Sequence, residues 1–317
     1  MKAIMYHYVR EYDDKYPNFR FLDIKNFRMQ LDYLSETYGF ASKTEWSDFL
    51  AGKEVSNYKE KVILTFDDAM RCHFEYVFPE LERRNLWGIF YVPTMPYTEA
   101  RILDVHKIHL LCGAFEGNEL LETLLSLITD TMIPDSKCEE FRSMTYSSQT
   151  NYEGVTEFKR ILNYFIDYEF RNDVITSISE KFNYTFDSNS FYIPQKDLLK
   201  MKEHGHIIGS HTVNHPVMSK LSHTEQLKEI ESSFNFLDKI QCTTYNRTYC
   251  HPYGGFHSFN DDTVDILKNN KVQFSFNVES RDITADDVRK NPQFLPRYDC
   301  NEFPHGMSSP KQKIGLL

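Results

Sequence analysis

Short runs of β-branched and aromatic residues, each closed by a turn or breaker residue, recur along the chain. Lys2–His7, Val62–Phe66, Gly88–Val92, His206–Ser210, Asn246–Cys250, Val272–Phe276 and Phe294–Tyr298 have the length and composition of strands. Helical spacing fills several of the intervals. Ile24, Phe27, Leu31 and Leu34 recur on one helix face, and Phe74–Arg84, Pro194–His204 and Asp261–Asn270 have the same character. Ser222-His223-Thr224-Glu225 reads as a capping box, in which the Ser oxygen accepts from the third helical amide and the Glu reaches back. It opens a charge-rich helix to about Ile240, whose charges read most simply as a solvated face. Strand–helix alternation predicts a parallel sheet with helical crossovers, and seven such units predict an α/β barrel. From about Thr94 to Phe191 the rhythm breaks. Helical segments at His106–Ala114, Leu120–Asp130 and Val155–Phe182, with a polar loop at Ser143–Gly154, predict a helical insertion over 95–191 within a single 1–317 domain.

The chain has 317 residues, 41% hydrophobic and 26% charged, which excludes disorder and allows a substantial core without staples. Its net charge of −10 argues against a nucleic-acid binder, which needs a basic face, and weakly against an anionic membrane as partner. No apolar run approaches the roughly 18 residues of a membrane span. The opening MKAIMYHYVREYDD is too polar for a signal peptide, so a cytoplasmic chain is expected. Six cysteines without a CxxC pair are expected to be reduced thiols. With Phe 25 and Tyr 20, a cleft lined by a few of these rings would suit a flat ligand such as a sugar.

Residues able to do chemistry gather at the ends of the expected strands: His7, Asp67 and Asp68, His211 and His215, Pro252-Tyr253-Gly254, Asn277 and Glu279, Arg297 and Asp299. In a parallel barrel these ends face one mouth. An apolar strand ending in two adjacent carboxylates, TFDD at 65–68, is costly unless a metal or cation relieves the repulsion, although a solvated turn or a helix cap also uses Asp. In HTVNHP at 211–216 two imidazoles four residues apart can chelate one ion, although they also fit two unrelated surface histidines. Thr212 stands where HExxH has Glu, and Pro216 disfavours helix at His215, so a strand end turning into a loop is expected. Taken together, Asp68, His211 and His215 form a two-His, one-carboxylate set with open coordination positions, which leaves Asp67 available as a general base.

TFDD, HTVNHP and the 252–254 turn, in that order, resemble the polysaccharide deacetylase family, the NodB-homology domain. The resemblance covers roughly 1–94 and 192–300. It implies a distorted (β/α)7 barrel, with Asp67 as catalytic base and Asp68, His211 and His215 holding one divalent ion, zinc first, then cobalt, nickel or manganese. The Tyr253 backbone N–H after Pro252 would be the oxyanion donor, and a Pro-initiated turn makes it a rigid dipole. Two departures stand out. Many members carry an Arg where this chain has Cys250, and Arg297 is the candidate replacement. The usual C-terminal Leu-x-His, source of the catalytic acid, has no match near 294–300. Tyr6-His7-Tyr8 resembles the first strand of the poly-N-acetylglucosamine deacetylase branch, where a His takes the acid role, so that role is carried to His7. His251, beside the turn, is expected near substrate. Asp299 is expected either to orient a His or the base through Arg297, or to be a surface Asp.

The expected activity is removal of an N-acyl group, acetyl first, from an amino sugar in a saccharide or precursor. The rivals are hydrolysis of another non-peptide C–N bond on the same barrel, and a non-catalytic carbohydrate-binding protein. Phosphoryl transfer ranks last, because no GxxxxGK[ST] loop is present. An N-acetylated saccharide is the expected partner; oligomeric state is open.

Overall fold

The computed structural model describes residues 1–134, 142, 145, 151–188, 190–243 and 247–308. Seven strands form one all-parallel sheet: β1 Lys2–Tyr6, β2 Val62–Phe66, β3 Ile89–Val92, β4 Ile207–Ser210, β5 Thr248–Cys250, β6 Phe274–Phe276 and β7 Tyr298–Asp299. Their order is β6-β5-β4-β3-β2-β1-β7. Strands β2 to β6 are therefore each laid beside their predecessor by a crossover, as in a singly wound barrel, and β7 returns to the free edge of β1. The crossovers include helices Ile24–Thr37, Phe78–Arg83, Gln195–Glu203, His223–Lys239 and Asp261–Asn269. The capping box at Ser222 and Glu225 is formed.

The last strand is where expectation and structure part. Pro292–Phe294 is a 3-10 turn, and pairing with β1 is confined to Tyr298 and Asp299. Pro296 has no N–H for a ladder, which keeps this strand short. Leu295 bridges Phe276, while Tyr298 and Asp299 pair with Ile4 and Met5. Residues 295–299 thus link β6 to β1 and close the circle. The fifth strand begins at Thr248; the expected start at Asn246 lies outside the described residues. The expected polar loop at Ser143–Gly154 lies largely outside them too.

Alternate strand residues face opposite ways. Ile4, Tyr6, Leu64, Phe66, Phe90 and Val92 pack outward against helix residues such as Phe27, Leu31, Leu81 and Leu237. Ala3, Ile63, Ile89, Tyr91, Phe274 and Phe276 form a second cluster with Trp46. Thr65 and Asp67 share the parity of Ile63, so β2 delivers its first carboxylate to the inner side.

Met1–Glu11, Phe21–Ala100 and 190–308 make up this compact unit; Tyr12–Arg20 and Arg101–Ser188 make up a second. The second holds helices Asp104–Ala114, Gly117–Leu125, Val155–Arg160 and Tyr168–Lys181. The single helix expected over Val155–Phe182 is broken, because Ile166 and Asp167 are extended and Asp167 takes the N-cap position of the next helix. Tyr12–Arg20 joins this unit with no announcing pattern in the sequence. Its Asn18 N–H donates to the Gly113 carbonyl at 2.9 Å, and Phe19 packs so close that a Cβ on Gly113 would lie 2.4 Å from the ring. The five described cysteines are free thiols. No helix among the described residues is long and apolar enough to cross a membrane.

Gly209 in β4 faces Tyr91 and Thr248, whose hydroxyls hydrogen-bond to each other at 2.8 Å. A Cβ there would lie 2.6 Å from the Tyr91 ring and 2.8 Å from the Thr248 methyl. Gly209→Ala is expected to lower stability by about 1–3 kcal/mol through overpacking, read as a lower urea midpoint at unchanged slope.

Candidate metal and catalytic site

The β2 ladder ends when the Asp67 N–H donates to the Tyr6 carbonyl at 3.0 Å. The backbone then turns through positive φ at Asp68 (78°) and Ala69 (49°), which sends the two neighbouring carboxylates to different partners. Asp67 meets Arg297. Nη1 donates to Oδ1 at 2.9 Å and Nη2 to Oδ2 at 2.8 Å. The guanidinium also donates to Thr65 Oγ1 at 3.1 Å, the Asn277 carbonyl at 3.2 Å and Cys250 Sγ at 2.9 Å. Its five N–H groups are therefore all used. Both partners are buried, Asp67 at 2% and Arg297 at 0% exposure. Burial would raise the Asp67 pKa, but the charge and hydrogen bonds of Arg297 outweigh it and bring the carboxyl down to about 2. Burial likewise favours loss of the Arg297 proton, and the Asp67 charge more than offsets this.

Asp68 faces the histidines. Its Oδ1 lies 3.5 Å from His211 Nε2 and 3.5 Å from His215 Nε2. All three residues are buried, and their ligand atoms lie within 4.8 Å of one another. An ion bound at roughly 2.1 Å in a tetrahedron sets its ligands roughly 3.4 Å apart, so the spacing fits a single divalent ion. The donor chemistry agrees. His211 Nδ1 contacts the Cys250 carbonyl at 2.8 Å. A carbonyl only accepts, so Nδ1 carries the proton and Nε2 presents its lone pair. Burial lowers the His211 pKa against the pull of Asp67 and Asp68, which favours the neutral, ligating form. Asp67, His211 and Cys250 also lie within reach of one another. Arg297 already engages both Asp67 oxygens and the Cys250 sulfur, so a second cation there would meet its charge.

His7 stands on the other side of Asp68, with Nε2 4.0 Å from Oδ2 and a side chain 39% exposed. Its carbonyl is bonded by the buried His73 Nε2. Burial lowers the His73 pKa to about 4, so this ring is a neutral strut for the His7 backbone.

The loop from His211 to His215 is not helical, as Pro216 suggests. Thr212 and His215 have φ of 66° and 53°, and Thr212 Oγ1 accepts from the His215 N–H at 2.9 Å. In the 252–254 turn Tyr253 and Gly254 have φ of 62° and 73°; a Cβ on Gly254 would lie 2.3 Å from Val278. The Tyr253 ring lies 4.9 Å from that of His215, which places the turn beside the set. Among the described residues, twelve non-glycine positions have positive φ, and five of them are Asp68, Ala69, Thr212, His215 and Tyr253. Strained backbone of this kind concentrates where function holds it.

Two expected residues are engaged elsewhere. The His251 ring stacks on Phe259 at 3.9 Å and its Nε2 bonds the Gln293 carbonyl at 2.8 Å, so it is a buried packing residue and not a substrate contact. The Asp299 carboxylate caps the turn Cys300–Glu302, accepting from the Asn301 N–H at 2.9 Å, and so is committed to local structure. Thr65 and Glu229 have no strand-end signal in the sequence; Asn277 stands out there only as a strand-end residue, and Cys250 only as the residue in the place of an Arg. Glu229 corrects the solvated-face reading of its helix, because it accepts hydrogen bonds from Val213 and Asn214 between the two histidines. Its position, three after Gln226 and four before Ser233, both buried, was the available signal.

Residues 161–275 match the family model described as polysaccharide deacetylase. The match takes in both histidines and the 252–254 turn, while Asp67 and Asp68 precede it. Among solved structures, the Streptococcus pyogenes deacetylase PplD in complex with acetate superposes with a TM-score of 0.58 at 18% identity, covering 98% of this chain and 94% of that one. IcaB from Ammonifex degensii gives 0.54 at 16%, covering 94% and 90%. The BpsB deacetylase domain from Bordetella bronchiseptica gives 0.51 at 14%, covering 94% of each. At these identities the likeness is one of fold, and the fold is the distorted (β/α)7 barrel. No curated protein matches the chain.

Removing one member of a buried pair strands the other. Arg297→Met is expected to destabilise by about 3–5 kcal/mol. The double replacement Asp67→Leu with Arg297→Met is expected to recover most of that, in a comparison of denaturant midpoints.

Proposed function

We propose that this protein is a hydrolase that removes an N-acyl group, acetyl first, from an amino sugar within a saccharide, and that it works with one divalent ion held by Asp68, His211 and His215. One observation carries the reading: an ionised carboxylate, Asp67, is clamped beside a three-ligand set whose spacing suits a single ion. The family match supports the class of reaction. The S. pyogenes neighbour is a deacetylase described in complex with acetate, and acetate is what N-deacetylation releases. Two imidazoles and one carboxylate suit zinc, with cobalt, nickel or manganese as alternatives.

A divalent ion held by Asp68, His211 and His215 would supply an acidified water and a polarised amide carbonyl. Asp67, buried beside this set, is the residue placed to accept a proton. Arg297 holds both Asp67 oxygens, keeps the carboxylate ionised and fixes its aim. The Cys250 carbonyl holds the His211 tautomer. The Tyr253 N–H, set by a positive-φ turn, is the dipole offered to the developing oxyanion. His7, more exposed and 4.0 Å from Asp68, delivers a proton to the leaving amine as the C–N bond breaks.

The purified chain is expected to contain about one divalent ion, lost in His211→Ala, and to release acetate from N-acetylhexosamine oligomers in preference to non-sugar amides. Asp67→Asn should lower turnover at least 100-fold while the ion stays bound. Full activity in Asp67→Asn would remove Asp67 from the mechanism; turnover of non-sugar amides alone would reassign the substrate.

A further inference from the structure

The loop from His211 to His215 presents two of the three proposed ligands from a costly backbone. Thr212 is β-branched at φ 66°, and His215 follows at φ 53°. Such conformations persist only where the surroundings over-determine them. The loop carbonyls of Thr212 and Val213 accept from the Thr94 and Met95 N–H groups at 3.1 and 3.0 Å. The donors at the loop tip go to a single side chain. The Val213 and Asn214 N–H groups both donate to Glu229 Oε2 at 2.9 Å, and Asn214 Nδ2 donates to Oε1 at 2.6 Å. Hydrogen bonds to a carboxylate are the strong kind. One turn further along the same helix, Ser233 Oγ bonds Ser210 Oγ at 2.6 Å, and Ser210 Oγ accepts from the Thr212 N–H at 3.2 Å. Helix His223–Lys239 therefore grips both ends of the segment between the two histidines.

We infer that Glu229 is a positioning residue of the metal site, holding the Val213–Asn214 tip between the strained Thr212 and His215 so that the two imidazoles sit at ligating separation. It touches neither ring and acts through the loop backbone. The inference rests on the metal reading above and goes beyond it by assigning metal affinity to a helix that supplies no ligand.

The test is the zinc dissociation constant of the full chain, stripped of metal and titrated against a competing chelator, with the visible spectrum of the cobalt(II)-loaded protein as a second readout. Glu229→Gln keeps the shape but turns an amide group toward the loop donors. It is expected to weaken zinc binding 10- to 100-fold and to change the cobalt spectrum. Glu231→Gln, exposed on the same helix, should bind as the parent does. A purely structural role would lower the unfolding midpoint of the metal-free protein and leave the zinc constant of the folded variant unchanged; that result overturns the inference. Should Glu229→Gln fail to fold, Asn214→Asp sets a like charge against Glu229 without altering the helix. At least a tenfold loss of zinc affinity is expected there, and parental affinity overturns the inference. A parent chain that binds neither zinc nor cobalt overturns the metal reading itself, an outcome distinct from a zinc-binding parent with an indifferent Glu229 variant.

Discussion

The buried pair of Asp67 and Arg297 joins the second strand to the segment that closes the barrel, 230 residues away in the chain. A charge pair in the interior is expensive to desolvate, and it holds only when geometry and further hydrogen bonds compensate. Here all five guanidinium donors find acceptors, among them a strand hydroxyl, a carbonyl after β6 and the Cys250 thiol. The same contacts that make the pair tolerable draw β2, β5, β6 and β7 to one point. The carboxylate is left ionised and immobile, facing His211.

Around that point the backbone departs from its ordinary minima. The two carboxylates separate because the chain turns left-handed at Asp68 and Ala69, and the second histidine reaches Asp68 because Thr212 and His215 do the same. Each departure is paired with a support: the Cys250 carbonyl on His211, the Thr212 hydroxyl on the His215 amide, the Glu229 carboxylate on the loop tip. The site is thus strained backbone held from outside, and these supports fix the positions of Asp68, His211 and His215. Cys250 fits this picture as a small residue that leaves room for an Arg arriving from another strand.

Hydrophobic patterning is local, and so was most of what could be read from the chain alone. The runs at Lys2–His7, Val62–Phe66 and His206–Ser210 became strands within a residue or two, because an inner parallel strand needs an apolar run bounded by breakers and little else. The capping box at Ser222 and Glu225 was legible for the same reason: its partners lie within four residues. TFDD and HTVNHP showed which groups were chemically unusual, and their placement at strand ends predicted one mouth. The sequence by itself thus determined the sheet class, the seven units and the donor types.

Distance along the chain decided the rest. Whether Arg297 reached Asp67, whether His251 faced substrate or packed on Phe259, and whether Asp299 aimed inward or capped a turn depended on where closure set strands far apart in sequence. Pro296 kept β7 to two residues, and Asp299 at its end caps the turn that follows. Tyr12–Arg20 joined the helical unit through contacts with Gly113 and Tyr184 that no periodicity encodes. Glu229 lay on the buried stripe of its helix, but its charge reads as solvated until the loop donors it satisfies are in place. Local pattern specifies each element and its exposed chemistry; only the packed barrel specifies which buried charges meet, because that pairing is a long-range compensation of desolvation.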